Sequence, residues 1–336
     1  MFPANGSVLN RLLIRCNQCI VQLMKWRMFD RMDFKTVLCG EKDVGRIVSA
    51  FHLQYCTKGN KSYYESSEYG KLDGIHLKID GRTLKVVCSV QKIFSKYARG
   101  NRLDNSGSFT VSEGRAALSL LFDSIGIDVS HVTVTYFEIG LNMKMSRDPS
   151  EYIKRVMSTD DAREMYADAD YKKDRQKTTE KDKDKRKILK IYDKSFEYRQ
   201  KGKTVDDNIL RLETVYRRQK VPLRDFFDEA YISRLTNQFF RDWYNISFPQ
   251  TIVCESGTKS SQMERAQRIM MVGRDKYMEE NRDNLREGRI TPKQYRVNRE
   301  YAQMWDTHKK RFKIVPSIEE TEYKNRFKKL FSRMIE

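Results

Sequence analysis

KILKIYDKSFEYRQKGKTVDDNILRLETVYRR, residues 187–218, contains two runs in which aliphatic side chains recur at every second position. In the first, Leu189 and Ile191 alternate with Lys190, Tyr192 and Lys194; in the second, Leu210 and Leu212 alternate with Ile209, Arg211 and Glu213. Successive side chains of a strand point to opposite faces, so each run reads as a strand with one aliphatic and one polar face. The first polar face would carry a tyrosine between two ammonium groups, the second a guanidinium beside a carboxylate. Side by side, these are groups that phosphodiester chemistry needs.

The same design recurs upstream. Across residues 131–143, Phe137, Ile139 and Leu141 share one face, and Tyr136, Glu138, Gly140 and Asn142 the other. Residues 75–79 and 83–91 alternate on either side of Asp80-Gly81, a two-residue type I′ turn signal, and so predict a β-hairpin. Its aliphatic face is Ile75, Leu77, Ile79, Leu84, Val86, Cys88 and Val90, and its polar face His76, Lys78, Lys85 and Ser89. Residues 33–39 read as a short strand and the polar stretch 62–71 as a loop. Thr110-Val111-Ser112-Glu113 has the capping-box pattern, and the apolar spacing behind it predicts a helix over 111–124, stopped by Gly126. The expected fold is α+β: an antiparallel sheet with helices on its aliphatic face and an open polar face. That face would collect His76, Glu138, Asn142, Lys190, Tyr192, Lys194, Arg211 and Glu213.

After about Leu223 the strand signals vanish and helical spacing takes over, with a stop at Gly288, a restart at Thr291-Pro292 and a last helix opening at Ser317. The expected division is an extension over 1–31 with Met28 or Met32 as an alternative start, an α+β domain over 32–228, and a helical basic domain over 229–336. A charged insertion interrupts the α+β domain at 160–187. Within 171–190 ten basic residues face four acidic ones, as in a solvated helix, a mobile insertion or a DNA-gripping arm. The helix–Gly–Thr-Pro–helix pattern fits a helix-turn-helix or two packed helices.

The 336 residues are 39% hydrophobic, enough for a sizeable core, and carry a formal charge of +19. Such a field favours a polyanion, with DNA or RNA ahead of a membrane surface. Six cysteines without a paired framework suit a reducing, cytoplasmic setting. No run of eighteen apolar residues is present, so no membrane span is expected. No P-loop motif occurs, which excludes that type of nucleotide-driven motor, and Cys16-x-x-Cys19 lacks the second pair that a zinc site needs.

Two carboxylates and an imidazole, Glu138, Glu213 and His76, are suitable ligands for Mg²⁺ or Mn²⁺. Tyr192 would attack phosphorus, with Lys190 and Lys194 favouring its phenolate. Each group also has a plainer reading: an amphipathic strand tyrosine, surface glutamates paired with Arg211, an ordinary strand histidine.

The motif order CSVQKIFSKYARGN (88–101), a helix, VTVTYFEIGLNM (132–143), a polar gap, KILKIYDKSFEY (187–198) and ILRLETVYRR (209–218) resembles the phage/plasmid replication proteins of the gene II/X type. The resemblance spans roughly residues 74–228. It implies a rolling-circle replication initiator with a nickase-like core: a metal-dependent nick at a single-stranded or hairpin origin, a covalent 5′-phosphotyrosine, and later closure. On this resemblance Tyr192 of the YDK motif is the nucleophile, with Lys194 beside it and Tyr198 as the alternative. Glu138 in FEIGLN and Glu213 in LRLE match acidic positions near the metal, and Arg211 matches a phosphate-facing position. Lys92 in SVQK, taken as a DNA contact together with Lys190, and Asn101 in GN match positions without an assigned role. The wider group of nickases carries two histidines separated by one bulky residue; here no such pair exists, and His52-Leu53-Gln54 is only a degenerate imitation. Origin DNA, host replication machinery and a second copy of the chain are the implied partners. A non-catalytic origin-binding protein and a mobilisation relaxase are the alternatives.

Overall fold

The computed structural model describes residues 29–67, 74–100, 109–159, 164–169, 171, 173–178, 186–249, 251–254 and 257–335. The extension up to residue 28 with its Cys16-x-x-Cys19 pair, Asn101, and parts of the charged insertion lie outside them.

In chain order the elements begin with β1 (Phe29–Val37), α1 (Glu41–Phe51), the hairpin β2 (Gln54–Lys58) and β3 (Lys61–Glu65), and the hairpin β4 (Ile75–Asp80) and β5 (Thr83–Ser89). They continue with α2 (Val90–Arg99), α3 (Val111–Ile125), β6 (Thr133–Met145), α4 (Pro149–Ile153), β7 (Met165–Ala167), β8 (Arg175–Thr178) and β9 (Lys187–Asp193). Then come α5 (Lys194–Gln200), β10 (Asn208–Tyr216), β11 (Val221–Pro222), α6 (Leu223–Phe226) and α7 (Glu229–Tyr244). The last are β12 (Thr251–Cys254), α8 (Ser260–Val272), α9 (Arg274–Arg286), α10 (Pro292–Gln303), α11 (Trp305–His308), β13 (Phe312–Val315) and α12 (Ile318–Ile335).

Among the described residues eleven strands form one antiparallel sheet in the order β2-β3-β4-β5-β1-β6-β10-β9-β8-β7, with β11 pairing the start of β6. The two-residue period decides its faces. Met32, Phe34, Leu77, Leu84, Val86, Phe137, Ile139, Leu189, Ile191 and Leu212 all point to one side and join a core completed by α1, α2, α3, α4, α6, α7 and α12. The polar members of the same strands take the opposite side, away from that core. The α+β class with an antiparallel sheet is therefore as the alternation implies. Thr110 and Glu113 form the capping box at α3.

Several local expectations change. Residues 62–65 belong to β3 rather than a loop, because Tyr64 and Glu65 pair with Ile79 and Lys78 of β4. The turn joining β4 to β5 is Gly81-Arg82, with positive φ only at Gly81, so the type I′ signal at Asp80-Gly81 is shifted by one residue and changes type. The strand from Thr83 ends at Ser89, and Val90 and Gln91 already belong to α2. The charged insertion contributes β7 and β8, and β8 pairs with β9 as an outer strand. Residues 29–31 of the segment read as an extension belong to β1, and the Phe29 ring packs on Phe137 and Phe226.

Strands do not vanish after Leu223, for β12 pairs with β13. The helices of 229–336 are shared between two cores. Ile232, Leu235, Phe239 and Trp243 of α7 and Tyr323 and Phe327 of α12 belong to the core beneath the sheet. The Trp243 indole N–H donates to Thr214 of β10 at 2.9 Å, and the Tyr323 hydroxyl donates to the Trp243 carbonyl at 2.8 Å. Between them, residues 251–315 build a separate small core of Ile252, Ala266, Ile269, Tyr277, Tyr301 and Ala302. Thr251 opposite Val315 closes that segment at its base.

Candidate active site on the polar face of the sheet

Register brings the central residues together. Arg211 of β10 lies between Asn142 of β6 and Tyr192 of β9, and Glu213 lies between Gly140 and Lys190. All of these side chains share the polar face. The Tyr192 hydroxyl donates to Glu213 Oε2 at 3.1 Å. Lys190 Nζ donates to Glu213 Oε1 at 2.9 Å and stands 3.9 Å from Glu138 Oε1. Arg211 Nη1 donates to Asn142 at 3.2 Å, Nη2 is 3.5 Å from Asp30, and Nε is 3.5 Å from Glu213 Oε2. Gly140 leaves room for the guanidinium: a Cβ there would stand 2.5 Å from Arg211 Cζ.

The cluster is not the open face that alternation suggests. Tyr192 is 7%, Arg211 6% and Glu213 5% exposed, and Lys194 is buried with them. Opposite charges on three adjacent strands neutralise one another, which lets a polar face be buried. Tyr171, next to β8, closes over Tyr192 edge-on, with ring centroids 6.0 Å apart.

Lys194 does not continue the strand. The Asp193 carboxylate accepts from the Phe196 N–H and caps α5, so Lys194 is the first helical residue, with its Nζ donating to Glu197 at 2.8 Å. That ammonium is still 5.8 Å from the centre of the Tyr192 ring. Burial, then Arg211, lowers its pKa. Because Lys190 is committed to Glu213 and Lys194 to Glu197, the phenolate is not favoured. Burial, then the Glu213 carboxylate, raises the Tyr192 pKa well above its ordinary value.

The two glutamates are driven apart. Burial and then Glu213 raise Glu138 to about 7, while the Tyr136 hydroxyl donates to it. Burial works against ionisation of Glu213 too, yet Lys190 and Arg211 outweigh it and hold that carboxyl down to about 2. Two interacting carboxylates so separated share their protons as a pair. A raised carboxyl favours folding most below its unfolded pKa, near 4.5, and that contribution is lost as pH rises through 7; Glu213 has the opposite sign, losing its contribution as pH falls through 2. Glu138→Gln should therefore stabilise the protein at pH 8 by on the order of 1–3 kcal/mol. The gain should fade towards pH 4.5 in urea titrations; an equal gain at both pH values would contradict the raised Glu138.

His76 is elsewhere. It lies on β4, three strands from β6, and its Nε2 pairs with Glu65 at 3.1 Å. At ~4.8 Å per strand this is about 14 Å across the sheet from Glu138 and about 19 Å from Glu213. Lys92 stands in the first turn of α2, where among the described residues it forms no ion pair with the cluster. The donor set does not fit a divalent ion: Lys190 Nζ stands against both carboxylates, and no group of three His, Cys, Asp or Glu side chains converges among the described residues.

Asp30, Tyr136, Gly140 and Tyr171 complete the site but were not singled out as its members from sequence. The Ser89 hydroxyl donates to Asp30 at 2.7 Å, so β5 also braces the cluster. Among the described residues no helix is long and apolar enough to cross a membrane. No protein-family model matches the chain, and no curated protein matches it.

Proposed function

We propose that the chain is a rolling-circle type replication initiator that cleaves one DNA strand through Tyr192 and rejoins it. The observation that carries this reading is the hydrogen bond from the Tyr192 hydroxyl to Glu213, with three cationic side chains around it. In the proposed step Tyr192 Oη bonds to phosphorus and the P–O3′ bond breaks. The phenolic proton passes to Glu213 and then to the departing O3′, which leaves as a hydroxyl. The phosphotyrosine conserves the phosphodiester energy, so attack by a 3′ hydroxyl restores the strand.

Glu213 in its resting state is a weak base. A phosphate entering beside it would draw Arg211 and Lys190 to its own oxygens, and removing those two cations from Glu213 raises its basicity. Arg211 Nε is buried and makes no hydrogen bond, so it has a donor to give such an oxygen.

The test is incubation of the protein with single-stranded oligonucleotides tiling the DNA that carries its gene, with Mn²⁺, with Mg²⁺ or with chelator, followed by a denaturing gel. A DNA-linked protein band supports the reading. No band in any arm favours a second reading, an origin-binding protein that does not cut. The burial of Tyr192 speaks for that second reading, which entails salt-sensitive binding without a covalent product.

A further inference from the structure

Away from the buried cluster, the polar face carries a charge pattern that folding alone does not favour. Lys78 of β4 lies directly opposite Lys85 of β5, and Lys85 lies directly opposite Lys35 of β1. At the outer hairpin Lys58 of β2 is likewise opposite Lys61 of β3. Neighbouring strands are ~4.8 Å apart, and like charges directly opposite one another destabilise a sheet. Lys78 faces Glu65 on its β3 side and Lys85 is partly offset by Asp33 at 3.2 Å, but the Lys85 side chain remains 49% exposed, and Lys35, Lys58 and Lys61 are exposed too.

Aromatic rings are interleaved with these cations. Lys78 Nζ stands 3.4 Å from the centre of the Tyr63 ring, and the Arg31 guanidinium 5.1 Å from that of Tyr136. Cations alternating with π-faces suit a phosphodiester chain whose bases are free to stack. A duplex would offer its phosphates but not its base faces.

We propose that this half of the sheet binds single-stranded nucleic acid, with the Lys78–Lys85–Lys35 row holding its phosphates and Tyr63 its bases. The row ends opposite Thr133 at the start of β6, whereas Tyr192 is aligned through Arg211 with Asn142 near the end of that strand. At ~3.3 Å per residue these points are about 30 Å apart along the sheet. The proposal deepens the nicking reading, on which it rests for the nature of the substrate, by stating where the flanking strand runs. Binding itself needs no chemistry.

The experiment measures fluorescence anisotropy of a labelled mixed-sequence 20-nucleotide single strand, and of the same strand annealed, over a series of salt concentrations. The full chain is compared with Lys35→Gln/Lys78→Gln/Lys85→Gln. The triple variant should bind the single strand at least ~10-fold more weakly. Its plot of log affinity against log salt should flatten by about 2, since each lost phosphate contact contributes ~0.7. Its thermal midpoint should stay level or rise as the lysine repulsion is relieved. An unchanged affinity and slope would overturn the proposal, as would a fall in thermal midpoint alongside the loss, or an equal loss on the duplex. Wild-type protein that binds the single strand but forms no adduct with any of the tiled oligonucleotides would sink the nicking reading alone.

Discussion

Tyr192→Phe is expected to abolish the covalent protein–DNA adduct while leaving the fold in place. The substitution removes only Oη, the atom that would bond to phosphorus, and the phenyl ring keeps its packing against Tyr171. Glu213 loses one donor but keeps Lys190 at 2.9 Å and Arg211 at 3.5 Å. The stability cost should therefore be about 1 kcal/mol, the ordinary worth of one hydrogen bond. Tyr198→Phe is the informative companion. Tyr198 is buried on α5 with its ring 5.2 Å from Lys194 Nζ and 5.3 Å from Lys203 Nζ, so its loss should leave the adduct intact. An adduct that persists in Tyr192→Phe and disappears in Tyr198→Phe would transfer the nucleophile to Tyr198. An adduct that persists in both single variants and in the double variant would remove these two tyrosines from the step.

What alternation makes legible is the division of each strand into two faces. Leu189, Ile191, Leu210 and Leu212 could not face water, so the partition of residues 187–193 and 209–213 followed from their period alone. Whether the polar face is open depends on which strands are neighbours, and sequence separation hides that. β1 lies between β5 and β6, and β6 lies beside β10, so Asp30, Gly140 and Arg211 meet from three distant segments. Asp30 was harder still, because a register irregularity between Phe29 and Met32 breaks the two-residue period that would have carried β1 back to it. Lys194 had a readable signal in the other direction. Asp193 followed by Lys-Ser-Phe-Glu is an N-cap pattern, and it outweighs one more alternating position. β3 and β8 are half-exposed and polar, so they present no apolar period, and only their pairing with β4 and β9 makes them strands. The Thr110 capping box, by contrast, is a local device and needs no tertiary partner.

Arg211→Met should be the most damaging single change to stability at the site, costing about 3–5 kcal/mol in urea or thermal unfolding. Methionine replaces the bulk but not the charge, and the guanidinium serves Asn142, Asp30 and Glu213 at once in a setting only 6% exposed. Removing it takes a cation from the buried Glu213, which keeps Lys190 at 2.9 Å, and from Asp30, whose side chain is 15% exposed. Arg211→Lys should cost less, since it keeps a cation but loses the fork that reaches three partners. Gly140→Ala should resemble Arg211→Met, because the added methyl group occupies the place of the guanidinium while changing no charge. The decisive comparison is the double variant Arg211→Met/Glu213→Gln. If the cost comes from an uncompensated charge, neutralising Glu213 recovers part of it, and the double variant is more stable than the sum of the single effects requires. Strict additivity, or a loss under about 1 kcal/mol for Arg211→Met, would mean that the cluster is solvated in solution and that Tyr192 is already open to a strand of DNA.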